Sequence, residues 1–109
     1  MAYDEGLAER IRSATADRGG VTEKKMFGGL AFLLDGHMFC GIVGDELMVR
    51  VGEDRAASVL QEAHTRPMDF TGRPLKGYVY VTPEGTATDP DLRAWVDAGA
   101  EFAATLPPK

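Results

Sequence analysis

At 109 residues the chain is long enough for one hydrophobic core and too short for two, so residues 1–109 read as a single domain. Apolar residues at 44% and charged residues at 27% exclude a disordered or fibrous polymer. A net charge of −5 argues against a protein that lives by wrapping phosphate backbones, and no apolar run approaches the ~18 residues of a membrane span.

The first periodic segment sets Tyr3, Leu7, Ile11 and Ala14 on one helical face, predicting a helix over residues 4–18 that Gly19-Gly20 stops. From Val21 the pattern turns strand-like. A short strand is expected at 24–27, with Gly28-Gly29 as a bulge or bend. Residues 30–34 run into Asp35-Gly36, the dipeptide favoured in two-residue hairpin loops, and 37–43 continue as the returning strand. Gly44-Asp45 makes a second tight turn into a strand at 47–51. Ala56, Val59, Leu60 and Ala63 then recur at helical spacing, predicting a second helix. Residues 66–76 hold Pro67, Gly72 and Pro74, which allow only a short edge strand plus loop. Tyr78, Val79, Tyr80 and Val81 make a strand over 77–82. A last helix takes its cap and first-turn proline from Asp89-Pro90 and presents Leu92, Trp95, Val96, Gly99, Phe102 and Leu106 on one face. The order α-β-β-β(-β)-α-β-β-α predicts an α+β fold of two layers, an antiparallel sheet with helices on one face.

Two-residue turns throughout would pair Leu34 with His37, Leu33 with Met38, Phe32 with Phe39, Ile42 with Leu47 and Phe39 with Arg50. That register gives one apolar face for the core: Ala31, Leu33, Met38, Cys40, Ile42, Leu47, Val49 and Val51. The other face would hold Leu30, Phe32, Leu34, His37, Phe39, Gly41, Val43, Met48 and Arg50, too apolar for a sheet surface that meets water. A contiguous patch of this kind suggests association, so Phe32, Phe39, Met48 and Arg50 are the expected contacts with a protein partner or a second copy. The alternative is an internal cover, by the last helix or by residues 66–76.

The side chains needed for chemistry are missing from any working arrangement. Ser13 and Ser58 stand at helical positions without a glycine-framed elbow, and Cys40 and His37, three apart on one strand, point to opposite faces. Two histidines and one cysteine form no metal-ligand spacing, so no enzyme activity, metal or cofactor is expected. The single cysteine, and a start that lacks a basic stretch before an apolar run, fit a reducing, cytoplasmic location. Lys24, Lys25, Arg66 and Arg73, with Arg50, could form a basic patch for an anion or DNA, the alternative to a protein contact.

Lys25-Met26-Phe27-Gly28-Gly29 resembles the N-terminal domain of the TfoX/Sxy competence-regulator family. The likeness continues through the Asp35-Gly36 turn, Phe39, Leu47-Met48-Val49-Arg50, Arg66-Pro67-Met68-Asp69-Phe70 and Gly77-Tyr78-Val79-Tyr80. It implies a secretion-chaperone-like fold and a bacterial, regulatory, non-enzymatic role. Full-length relatives regulate DNA-uptake genes with the cyclic-AMP receptor protein and carry a second, C-terminal domain. This chain ends at Lys109, so a stand-alone N-terminal domain is expected.

Overall fold

A computed structural model of the chain describes residues 3–26, 29–62, 64–67 and 77–107. The elements run α1 (Glu5–Ala14), β1 (Val21–Met26), β2 (Gly29–Leu34), β3 (His37–Val43), β4 (Glu46–Arg50), α2 (Glu53–Val59), β5 (Thr65–Pro67), β6 (Tyr78–Val81) and α3 (Asp89–Ala104), with a 3-10 turn at Pro83–Thr86. The strands form one antiparallel sheet in the order β1-β2-β3-β4-β6-β5. The α+β class and the element order are as expected. The expected bend at Gly28 lies outside the described residues.

Local chemistry explains the helix ends. Asp4 caps α1 by accepting from the Leu7 N–H, and the helix stops at Thr15, whose hydroxyl donates back to the Ile11 carbonyl. The helix is thus shorter than the expected 4–18. Thr88, rather than Asp89, caps α3 by accepting from the Asp91 N–H, and Pro90 sits in the first turn, where no N–H is needed. Asp35 and Gly36 both have positive φ, as a two-residue hairpin loop between right-twisted strands demands.

The helices all pack on one side of the sheet. Leu7, Ala8 and Ile11 of α1, Ala56 and Val59 of α2, and Leu92, Val96, Ala100 and Ala103 of α3 share one cluster with the inward residues of β2, β3, β4 and β6. The last helix comes close to β3. A Cβ added at Gly99 would lie 2.3 Å from the Phe39 carbonyl oxygen, so only a residue without a side chain lets the helix axis come this near the strand.

The register corrects the expected faces. Leu34 pairs with His37 and Leu33 with Met38 as read from the turn, but the ladder then slips, so that Phe32 pairs with Cys40, Ala31 with Gly41 and Leu30 with Ile42. Phe39 is the extra residue of a β-bulge. Beyond it the second hairpin follows the expected pairing, with Ile42 opposite Leu47 and Cys40 opposite Val49. The slip turns Leu30, Phe32 and Leu34 toward the helices, and Phe39 joins them there, both phenylalanines being 0% exposed. Burying one Phe is worth about 1.5–3 kcal/mol, while a ladder hydrogen bond nets only about 0.5–1.5 kcal/mol. Two buried rings outweigh one interrupted rung.

Candidate functional site

The face away from the helices is the candidate. One row of paired residues crosses all six strands on it: Lys24, Ala31, Gly41, Met48, Tyr80 and Arg66. At a strand spacing of about 4.8 Å the row is roughly 24 Å long. Ala31 and Gly41 make its middle shallow, and Met48 leans across the gap: its Cε would be 2.8 Å from a Cβ placed on Gly41. Met48 and Tyr80 form a second apolar cluster, 1% and 5% exposed, with half-buried Met38, Val43 and Tyr78 packed against them.

Of the four expected contact residues, the structure therefore brings Met48 and Arg50 to this face and takes Phe32 and Phe39 away from it into the core. Leu33 and Met38, expected to be inside, are half-buried, and Met38 packs on the second cluster. Tyr78 and Tyr80 were missed as site residues. The alternation of Tyr78-Val79-Tyr80-Val81 carried the signal, since it places both tyrosines on one face and both valines on the other.

The described residues of the expected basic patch lie apart. Lys24 pairs with Ala31 and lies on the open face, whereas Lys25 pairs with Leu30 and lies on the helix side. Two strands separate Lys24 from Arg50. Arg66 is already engaged: its Nε donates to Glu46 at 2.9 Å, and its guanidinium lies 4.3 Å from the centre of the Tyr80 ring. The stacked, bidentate geometry stiffens the outer edge of the face. Arg73 lies outside the described residues.

At the end of β4, Arg50 turns over the rim of the sheet. Its guanidinium is 5.6 Å from the Tyr78 ring centre and 5.2 Å from that of Phe102, which comes from α3. Below it opens a hollow of about 490 Å³ bounded by Arg50, Glu53, Asp54, Arg55, Gly77 and Phe102.

Cys40 is buried, and loss of water pushes its thiol well above the ordinary thiol range, so it stays protonated. Among the described residues no group of three or more His, Cys, Asp or Glu side chains could hold a metal ion. None of the described helices is long and apolar enough to cross a membrane.

Among curated proteins no match was found. The TfoX N-terminal domain family matches residues 13–103, which span the sheet from β1 to β5, the second helix and nearly all of the last. With the expected α+β order also present, the chain belongs to the TfoX N-terminal domain family.

Proposed function

We propose that this chain is a non-enzymatic interaction domain of regulatory type, working in the cytoplasm, whose sheet face away from the helices takes a protein surface. The observation that carries this reading is the second apolar cluster. Met48 and Tyr80 are nearly excluded from water on the side of the sheet that no described helix covers, and Met38, Val43 and Tyr78 extend the apolar area around them. An antiparallel sheet with a solvated face alternates apolar with polar residues, and the half-buried apolar area of Met38, Val43 and Tyr78 is the part of this face that a partner meets. Lys24 and the Arg66–Glu46 pair give the patch a polar rim.

Met38→Asp and Val43→Asp test the reading, because both residues are half-buried on the open face and neither belongs to the main core. The variants are expected to keep the circular dichroism spectrum of the parent. They are also expected to lose either the parent's oligomeric mass in light scattering or a protein captured by the parent from its host. Unchanged mass together with unchanged capture refutes the proposal.

A further inference from the structure

We propose that the hollow below Arg50 is a binding site for a small organic monocarboxylate, with Arg50 as its anchor. This goes beyond the interaction face, since the hollow lies at the end of the sheet, against α3 and the start of α2.

The first argument is the state of Arg50. A long cationic side chain ordinarily loses rotamer freedom when a ligand fixes it. Here the rings of Tyr78 and Phe102 already hold the guanidinium, at 5.6 and 5.2 Å. Among the described residues no carboxylate lies within 4.0 Å of it, so its planar fork of N–H donors is unused. Such a fork matches the two oxygens of a carboxylate in bidentate fashion. Arg66 shows the contrast within the same molecule, stacked on Tyr80 but with its fork filled by Glu46.

The second argument is the wall of the hollow. At about 490 Å³ it falls within the ~300–1,000 Å³ typical of small-ligand pockets. Half-buried Phe102 supplies apolar lining for the body of a ligand. Glu53 and Asp54 stand on the same rim and leave Arg50 and Arg55 only just balanced in charge. A second negative group on the ligand would meet these two carboxylates. The site therefore selects one anionic head on a neutral body, and disfavours polyphosphates and nucleic acid.

The probe is benzoate, with benzamide as its uncharged equivalent, titrated into the full chain and followed by amide shifts in two-dimensional NMR. Saturable shifts at Gly52 and Gly77 are expected, with a dissociation constant of about 1 mM or below. Benzamide is expected to bind at least about tenfold more weakly. Arg50→Gln should reduce benzoate binding by a similar factor, and Arg50→Lys should restore part of it. Should Arg50→Gln fail to fold, the benzoate–benzamide comparison on the native chain decides alone. Equal binding of the two probes, no saturable shift with benzoate, or full benzoate binding by a folded Arg50→Gln overturns the proposal.

Discussion

Replacing Gly99 by Ala puts the close approach of α3 to β3 under a direct test. The new methyl carbon would stand 2.3 Å from the Phe39 carbonyl oxygen and 3.3 Å from Val49 Cγ1. An unstrained carbon–oxygen contact is about 3.3 Å or longer, so α3 must withdraw by roughly 1 Å. The obstacle is backbone at a bulge and cannot step aside as a flexible side chain would. Withdrawal opens a gap under Val96, Ala100 and Ala103, and a gap of ~1 Å forfeits up to half of each dispersion contact across it. Overpacking of this kind costs about 1–3 kcal/mol, and the upper end applies against backbone. Alanine gains about 1 kcal/mol over glycine in helix propensity, which leaves a net loss near 2 kcal/mol. Melting temperature should fall by about 10 °C. The assay is urea unfolding followed by the fluorescence of Trp95, half-buried on the same helix. Ala94→Gly, at an exposed position of α3, isolates the propensity term and should cost about 1 kcal/mol. A Gly99→Ala protein as stable as the parent would show that the helix does not press on the bulge, and the packing argument would fail.

Phe32→Ala is expected to cost about 3–5 kcal/mol in the same assay, because the ring is fully buried beneath the helices; a loss below about 0.5 kcal/mol would return Phe32 to the surface. Cys40 should react with an aromatic disulfide reagent at a rate set by unfolding, slowly in buffer and fast in denaturant, and rapid labelling of the native protein would contradict its burial. Arg12 donates to both oxygens of Glu23 at 2.8 Å and holds that carboxyl below its ordinary value of 4.5. A lowered folded-state value stabilises above the unfolded one and is lost as pH falls through the folded one, so Glu23→Gln should flatten part of the melting-temperature decline below about pH 4.5. An identical pH profile for the variant would remove the pair from the account. Duplex DNA titrated by fluorescence anisotropy at low and moderate salt should show no salt-dependent binding, given that Lys24 and Lys25 lie on opposite faces.

Every strand and α-helix was legible in the sequence, because turn residues and periodicity are local signals. Asp35-Gly36 and Gly44-Asp45 marked their turns, and Leu7, Ile11, Leu92 and Val96 marked the buried sides of α1 and α3. The 3-10 turn at Pro83–Thr86 was not read, nor was the cap at Thr88. The bulge was the larger loss. Nothing near Phe39 distinguishes an extra residue from a paired one, since the reason for the slip is the burial of two rings against a helix about 60 residues further along the chain. Half of the candidate face followed from that one displaced residue. Met48 and Arg50 were placed correctly because the second turn is free of slippage. The hollow under Arg50 joins β4, α2 and α3, and its geometry depends on where Phe102 lands, which no local pattern encodes.

The bulge also bears on how this chain can change length. Deleting one residue from β3 would restore an even ladder and turn Leu30, Phe32 and Leu34 out into solvent, while β4 and β6 kept their orientation. An insertion in the same strand would split the meander in the same way. The loop at Asp35-Gly36, exposed on the surface, has no such coupling to either face. Sequences descended from this one should accordingly gain and lose residues at the hairpin tip, and hold the seven-residue length of β3 even where its side chains drift.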